Sequence, residues 1–197
     1  MKINILGYIL IFLIVLICIR IYKNSDYFNL KCIISEVDGN IYCVRERRKL
    51  KLAANKLANV NKKLIKLVKY CKENYSGRSN VKRLVNGFNP KTICETLPTS
   101  KYTAYSENKG EKIALCLDRE KNGNGGLIDD NTLMFVAIHE VSHIATKSIG
   151  HKDEFWSNFK FLLGEASKLG IYNPIDYKKS PKSYCGIKIK DNPYYDY

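Results

Sequence analysis

The pattern of apolar positions separates one long apolar run near the N-terminus from a remainder in which apolar and polar residues are mixed. The run covers residues 3–22, where Asn4 near its start and Arg20 near its end are the strongly polar residues. Twenty helical residues rise about 30 Å, the thickness of the hydrocarbon core of a bilayer. A cleaved signal peptide is less favoured, because no small-x-small cleavage motif follows the run. We therefore predict a single transmembrane anchor at residues 1–23, embedded in the lipid bilayer through residues 3–22, and a linker at residues 24–31.

Residues 32–197 show the mixed patterns of one folded domain. Two β-rich runs flank Asp38-Gly39 and predict a hairpin over residues 32–44, because this dipeptide favours the turns that hairpins need. Apolar residues spaced three and then four apart predict a long helix over about residues 46–74, with one narrow apolar stripe. The stripe consists of Leu50, Ala53, Leu57, Val60, Leu64, Leu67, Val68 and Cys71.

The second half of the domain is predicted to contain another hairpin and two longer helices. Residues 76–98 are predicted to be irregular apart from a short helix. The predicted elements are a short helix at 81–86, strands at 102–106 and 111–117 around a turn at 108–110, and helices at about 130–148 and 151–169. Asp130 or Asn131 caps the first of the two longer helices, and Gly150 ends it. The predicted core of the last helix comprises Phe155, Trp156, Phe159, Phe161, Leu162 and Leu163.

Composition limits the number of domains, and the charge is distributed unevenly. With 197 residues, of which 45% are hydrophobic, the chain forms one compact domain plus an appendage. The net charge is +14, and residues 45–72 carry eleven lysines and arginines and one acid, Glu46. A segment this basic suits anionic lipid or nucleic acid as a partner, although it also solubilises an exposed helix face. The cations after the anchor favour a domain on the cytosolic side, or in the interior of an enveloped virion.

Seven cysteines are present, and Cys18 lies in the predicted anchor. The other six form no CxxC pair, which argues against a zinc site made of cysteines. A cytosolic domain would keep its cysteines reduced, whereas an extracellular domain would pair them. If a disulfide forms, Cys32 and Cys43 are the best candidates, because the predicted hairpin spans them.

The three histidines of the chain lie within thirteen positions and form an HExxH-type motif. His139 and His143 are four residues apart, so one helix face carries both and they can share a metal ion. Glu140 lies about 100° further around the helix, where it can reach a water without being a ligand. A turn at Gly150 then returns His151. The pattern predicts a Zn²⁺ site with His139, His143 and His151 as ligands and Glu140 as general base for a metal-activated water.

Some parts of the site stay open at the level of the sequence. Glu165 on the following helix is an alternative to His151 as third ligand, whereas Asp153 and Glu154 are explained by the helix dipole. The donor to the oxyanion is a tyrosine or another group, and the tyrosines that follow the site are Tyr172, Tyr177 and Tyr184. The strand at 112–117 is predicted to be the sheet edge to which a peptide substrate adds.

The residues of this site resemble the WLM and SprT-like minimal gluzincin-type metallopeptidases. The resemblance is carried by IALCLDRE, a variable loop, an apolar helix with HEVSHIA, a histidine after a glycine, and DEFW. It covers about residues 113–169 and implies the same three ligands and the same base, with a longer turn before His151 than in many WLM members. The N-terminal span, GHKDEFWSNFKFLL and the tail IYNPIDYKKSPKSYCGIKI also resemble small membrane-anchored WLM-like proteins of large DNA viruses.

These patterns predict an α+β fold: a minimal zincin-like domain at residues 32–197, with a small antiparallel sheet packed on the HExxH helix and neighbouring helices. The predicted function is that of a membrane-anchored zinc metalloprotease that hydrolyses peptide bonds in a protein or peptide substrate. One alternative is a DNA-associated protease acting on nucleic-acid-bound proteins, which the resemblance implies and the basic segment suits. Another is a non-catalytic structural membrane or virion protein with a retained zinc site, which would not need Glu140.

Overall fold

The computed structural model describes residues 4–24, 30–123 and 126–196, without the side chains of Lys23 and Asn24. Its first helix, α1, spans Ile5–Asn24. Within α1, the segment Ile5–Tyr22 has a mean hydropathy of 2.7 and no buried residue, so it is long and apolar enough to cross a membrane. The predicted anchor therefore overlaps with α1. Residues 1–3 of the anchor and residues 25–29 of the linker lie outside the described residues.

A mixed α+β domain follows α1, as the sequence predicts. Its helices are α2 (Leu50–Tyr75), α3 (Ser79–Gly87), α4 (Asp130–Ala145) and α5 (Asp153–Lys168), and a 3-10 turn covers Pro193–Tyr195. Its strands are β1 (Leu30–Ile34), β2 (Ile41–Arg45), β3 (Ile93–Glu95), β4 (Ala104–Glu107), β5 (Lys112–Leu115), β6 (Lys182–Tyr184) and β7 (Ile187–Ile189). The sequence predicts neither β3 nor the β6–β7 hairpin, and β1 begins before the predicted domain boundary at residue 32.

The central sheet is mixed, so the prediction of a small antiparallel sheet is wrong. Strand β5 lies in the middle of a three-stranded sheet, with β3 parallel to it on one side and β4 antiparallel on the other. The β1–β2 and β6–β7 pairs are antiparallel hairpins. Strand β3 has three residues, which is too short a run to show the alternation by which a strand is recognised.

Helix α2 buries its predicted apolar stripe. Leu57, Leu64, Leu67 and Cys71 of this stripe have no exposed surface, and α2 contacts the β1–β2 hairpin, α4 and α5. Burial of a leucine side chain contributes about 1.5–3 kcal/mol, so this stripe is a principal source of stability. The prediction of core packing for the stripe is confirmed.

Two cations of the basic segment lie in a buried ion cluster and not on the surface. Arg45 belongs to β2, is 6% exposed, and donates its backbone N–H to the carboxylate of Glu95 at 2.8 Å. Its guanidinium lies 3.5 Å from Glu95 and 3.7 Å from Asp118. Arg47 pairs with the same two carboxylates, at 2.8 Å from Asp118. These two acids neutralise the charge of the two arginines. Because both arginines precede α2, the segment over 45–72 is not one basic helix face.

Candidate metal centre

Helix α4 and the loop that follows it bring three imidazoles together. His139 and His143 lie one turn apart on α4, and His151 comes from the loop. Each ring offers a nitrogen, and these nitrogens lie within 4.8 Å of one another. The ring centroids are 5.0 Å apart for His139 and His143, and 4.9 Å apart for each pair with His151. The structure thus assembles the three histidines that the sequence selects.

Glu165, the alternative third ligand, does not belong to this group. It lies on α5 and is 4% exposed. One carboxylate oxygen accepts the hydroxyl of Tyr75 at 3.1 Å, and the other accepts Lys168 Nζ at 2.8 Å. Since Tyr75 is the last residue of α2, Glu165 connects α5 to α2.

Helix α4 is rigidly held because almost all of its faces are buried. The side chain of Asp129 caps its N-terminus by accepting the N–H of Thr132 at 2.8 Å and its hydroxyl at 2.8 Å. The prediction that Asp130 or Asn131 is the cap is wrong by one or two positions, since residue 129 is the one with extended backbone before the first turn. A helix fixed at its start and packed along its length holds its side chains in defined positions.

Phe155 packs against all three imidazoles. Its ring centroid lies 4.8 Å from that of His139, 4.3 Å from His143 and 4.6 Å from His151, and it has no exposed surface. The next residue, Trp156, is 43% exposed and donates its indole N–H to the carbonyl of His151 at 3.1 Å. The prediction of a core position is confirmed for Phe155 and wrong for Trp156, whose ring lies at the edge of the site.

The carboxylate of Glu154 orders the loop that carries the third histidine. It accepts the backbone N–H groups of Lys147 and Ser148, both at 3.1 Å. Arg83 on α3 donates to the same carboxylate at 2.9 Å and to the carbonyl of Ala145 at 2.7 Å. Glu154 therefore positions the loop as well as favouring the start of α5. The sequence contains no local signal of this role, because the contacts with α3 are distant in the chain.

Lys109, in the turn between β4 and β5, satisfies the carbonyl groups at the end of α4. Its Nζ donates to the carbonyl oxygens of His143 (3.0 Å), Thr146 (2.7 Å) and Ser148 (2.9 Å). The turn approaches α3 closely at Gly110, where a Cβ would lie 2.1 Å from the carbonyl oxygen of Gly87. A cation at a helix C-terminus is favourable. Here the Lys109 ammonium group also holds the segment after α4, through the carbonyls of Thr146 and Ser148. The sequence predicts this turn at 108–110 but shows no signal for the role of its lysine.

Burial lowers the pKa of all three imidazoles, which favours their neutral form. Burial, with the charges of His143 and His151, lowers the pKa of His139 to about 3. Burial, with the charges of His151 and Lys109, lowers the pKa of His143 to about 4, and burial also lowers the pKa of His151. A neutral imidazole nitrogen is the form that binds a metal ion. Three imidazole nitrogens this close together are a donor set that can hold one metal ion.

Glu140 faces an open cavity beside the histidines, although it is only 4% exposed. Burial raises its pKa to about 8, and a hydrogen bond from the backbone N–H of Ser106 acts in the opposite direction. The cavity has a volume of about 540 Å³ and is also lined by His139 and His151. A carboxyl group with this pKa, beside a metal-type donor set and open space, has the properties of a proton carrier.

The sheet edge beside the site is β4, and the prediction that the strand at 112–117 forms this edge is wrong. Strand β5 is paired on both sides, whereas β4 is the outer strand of the three-stranded sheet. Its neighbour Thr103 and its first residue, Ala104, line the cavity, and Ser106 is the residue that contacts Glu140. The sequence shows an apolar strand upstream of the site helix but not the order of the strands.

The three tyrosines that follow the site occupy different environments. Tyr184 is buried, lines the cavity, accepts the N–H of Cys116 at 3.0 Å and donates to the carbonyl of Thr103 at 3.2 Å. Tyr172 accepts the amide of Asn192 at 2.9 Å, and Tyr177 is fully buried in the core. The hydroxyl of Tyr184 therefore connects the tail to β4, and this role explains its position.

Four cysteines form two disulfides. Cys32 and Cys43 pair across the first hairpin, as the sequence suggests if the domain is oxidised. Cys116 and Cys185 connect the end of β5 to the tail over a sequence separation of 69 residues. Disulfides are typical of oxidising compartments, so this pairing and the cation distribution favour different placements of the domain.

Comparison with known proteins gives a fold and a family. No protein-family model matches the chain. The crystal structure of Wss1 from Saccharomyces cerevisiae superposes with a TM-score of 0.50 at 18% sequence identity, covering 64% of this chain and 87% of that one. This similarity supports the predicted WLM-like fold.

The sequence relatives are viral proteins. Protein 136R of Invertebrate iridescent virus 6 is 38% identical over 82 residues, which are 42% of this chain and 44% of that protein. Protein R325 of Acanthamoeba polyphaga mimivirus is 33% identical over 162 residues, which are 80% of this chain and 81% of that protein. Identity of this level over four fifths of both proteins shows that the chain belongs to the family of mimivirus protein R325.

Proposed function

We propose that the protein is a zinc-dependent peptidase that cleaves peptide bonds in a protein substrate. The observation that carries the proposal is the convergence of three imidazoles beside an open cavity that His139, Glu140 and His151 line. The WLM-like fold supports it. A purely structural metal site would need neither the cavity nor a carboxyl group with a strongly raised pKa beside its ligands.

The residues divide into ligands and a proton carrier. His139, His143 and His151 would hold the metal ion, and their lowered pKa values keep them neutral for this task. When bound, Zn²⁺ supplies a Lewis acid for the scissile carbonyl and lowers the pKa of water towards about 7. Without metal, burial raises the pKa of Glu140 to about 8, and the charge of a bound Zn²⁺ would lower it. The resulting carboxylate would accept a proton from the attacking water and donate it to the nitrogen of the leaving amine.

The first test is metal content and cleavage by the full chain in detergent micelles. We expect one zinc ion per chain and cleavage of a peptide library, with both lost in a strong chelator and restored by added zinc. Elemental analysis and mass spectrometry of the products measure the two quantities. A metal-free protein would contradict the assignment of the ligands, and zinc binding without cleavage would favour the structural alternative.

A DNA-associated protease is the second candidate. The observation that favours it is the exposed face of α2, which carries Lys62, Lys66 and Lys72. Three other lysines of this helix pair with acids: Lys51 with Glu36 at 2.9 Å, Lys69 with a glutamate at 3.9 Å, and Lys56 with Asp130. The exposed pairs of Lys51 and Lys69 are weak. Binding of duplex DNA that falls steeply with salt, together with preferential cleavage of DNA-bound protein, would select this version.

We also propose that α1 anchors the domain in a membrane. The support is the length and composition of Ile5–Tyr22, and the predicted side for the domain is the cytosol or the virion interior. After expression in cells, the full chain is expected to remain in membranes washed with alkaline carbonate, whereas a variant lacking residues 1–24 is expected in the supernatant. Release of the full chain by the wash, or its appearance as a shorter secreted form, would contradict an anchor.

A further inference from the structure

We propose that the cavity beside the histidines, the apolar subsite, accepts a large apolar side chain of an extended peptide at a residue flanking the scissile bond. The inference rests on the proposed peptidase function and names the class of peptide that its site selects. The walls of the cavity, their fixed position and the adjacent free strand edge support it.

The walls of the apolar subsite are hydrophobic and come from separate parts of the fold. Helix α4 contributes Phe135 and Val136, α5 contributes Phe159, and the tail contributes Ile187 and Pro193. The cavity volume of about 540 Å³ lies within the range of about 300–1,000 Å³ that is usual for ligand sites. Burial of an apolar side chain against these walls is favourable, whereas a charged side chain would lose hydration there.

The apolar subsite is continuous with the site of chemistry. His139, Glu140 and His151 line the same cavity as the apolar walls, and so does Ala104 at the start of β4. Strand β4 is the outer strand of its sheet, so an extended peptide can add to its outer edge at Ala104, next to Ser106, whose N–H donates a hydrogen bond to Glu140. Side chains alternate between the two sides of an extended peptide, which directs one of them into the cavity while the main chain passes Glu140.

The tail wall of the apolar subsite is held in place before any peptide binds. The Cys116–Cys185 disulfide joins the tail to the end of β5. Tyr184 adds its two hydrogen bonds to Cys116 and Thr103, and Ile187 follows three residues later on β7. A wall that is already ordered loses little conformational entropy on binding, so its contacts contribute fully to selectivity.

The lysines at the rim of the apolar subsite indicate which peptides would compete with apolar ones, namely acidic peptides. Lys101 and Lys190 are exposed at the cavity edge, and Asp191, also at the edge, pairs with Lys178 at 3.1 Å. Cations at a rim attract acidic peptides. A peptide with an aspartate at the test position is therefore the most demanding comparison, because rim attraction alone would favour it over an apolar residue.

The test uses the intrinsic fluorescence of Trp156, which is the single tryptophan of the chain and lines the cavity. The zinc-loaded full chain with Glu140→Gln, in detergent, is titrated with peptides of one sequence that carry Phe, Leu, Ala or Asp at one position. The Phe and Leu peptides are expected to bind at least about tenfold more tightly than the Ala and Asp peptides, because one large apolar side chain is buried. Equal affinities, or tighter binding of the Asp peptide, would overturn the proposal.

Two substitutions of exposed isoleucines localise the effect. Ile187 is 51% exposed at the apolar subsite, and Ile34 is 66% exposed on β1, away from it. Ile187→Asp is expected to reduce the preference for Phe over Asp to within about threefold, because it places a charge in the wall. Ile34→Asp is the matched control and should keep the full preference, so equal behaviour of the two variants would contradict the assignment.

Cleavage by the wild-type chain separates this inference from the proposed function. The same peptides are incubated with the zinc-loaded wild type, and products are identified by mass spectrometry. Cleavage without preference at the test position would overturn the apolar subsite and leave the peptidase intact. Selective binding in the fluorescence titration without any cleavage would overturn the peptidase and leave an apolar binding site.

Discussion

Replacing Glu140 with glutamine is expected to lower the rate of peptide cleavage about a thousandfold, because a positioned acid–base group contributes roughly a hundredfold to ten-thousandfold and an amide can neither take nor return the proton. Glutamine has the size of glutamate, and its oxygen can still accept the N–H of Ser106. Zinc content and fold should therefore be unchanged. The measurement is kcat/KM for one peptide with both proteins, together with zinc counted per chain. Unchanged kcat/KM would remove Glu140 from the mechanism.

The same variant should change how stability depends on pH in the metal-free protein. The folded state holds the Glu140 proton up to a pKa of about 8, whereas the unfolded state releases it near the ordinary glutamate pKa of 4.5. Between these values the folded state binds more protons, so the contribution of this group to stability is present below the unfolded pKa and is lost as pH rises through the folded pKa. Glu140→Gln should remove this loss, which thermal unfolding from pH 5 to 9 measures.

Glu165→Gln is the matched control for the measurements of zinc content and kcat/KM. Glu165 is also a buried glutamate of the same domain, but its partners are Tyr75 and Lys168. The substitution should therefore leave zinc content and kcat/KM unchanged, with a modest loss of stability. Loss of zinc from Glu165→Gln alone would instead make this carboxylate a ligand, and the assignment of His151 would be wrong.

The parts of the site that could be predicted from the sequence are those set by local geometry. His139 and His143 share a helix face because they are four residues apart, and this spacing is visible without a structure. His151 follows after a single turn at Gly150, where the backbone has φ +81°. The apolar stripe of α2 is also encoded locally, by the three-and-four spacing of Leu57, Leu64 and their neighbours. In each case the information lies within a few turns of helix.

The parts that could not be predicted depend on contacts between distant segments. Strand β3 acquires its conformation by pairing with β5, not from its own three residues. Arg45 and Arg47 look like solvent-exposed cations until Glu95 and Asp118 are brought beside them. Lys109 in its turn and Glu154 at its helix start carry no pattern that separates a positioning role from an ordinary exposed charge.

The disulfides differ in the same way. The Cys32–Cys43 pair can be predicted because a predicted hairpin spans it, whereas Cys116–Cys185 joins segments that no local pattern relates.

The redox state of these four cysteines also indicates on which side of the membrane the domain lies, since a cytosolic domain would contain free thiols. Alkylation of the protein immediately after membranes are isolated counts these thiols. Four free cysteines among these positions would favour the cytosolic or virion-interior placement, and none would favour an oxidising compartment.

Removal of the Cys116–Cys185 disulfide is expected to lower the free energy of unfolding by about 4 kcal/mol, because it closes a loop of 69 residues in the unfolded chain. The Cys32–Cys43 disulfide closes a loop of 11 residues and should contribute about 3 kcal/mol by the same relation. Urea unfolding of oxidised full-chain protein in detergent, with both cysteines of a pair changed to alanine, measures each value. Alanine avoids placing a hydroxyl in the buried site of Cys116 and Cys185.

The two disulfide variants are expected to differ more in their selectivity for peptides than in their stability. Cys185 is adjacent to Tyr184 and precedes the hairpin strand that carries Ile187, so its release frees a wall of the apolar subsite. The first hairpin does not line this cavity. Cys116→Ala/Cys185→Ala should therefore lose selectivity for Phe over Asp peptides at temperatures where it is still folded, whereas Cys32→Ala/Cys43→Ala should retain it. Equal selectivity of the two folded variants would show that the tail does not need this disulfide and is held by its hydrogen bonds, those of Tyr184 and of the N–H groups of Cys185 and Gly186.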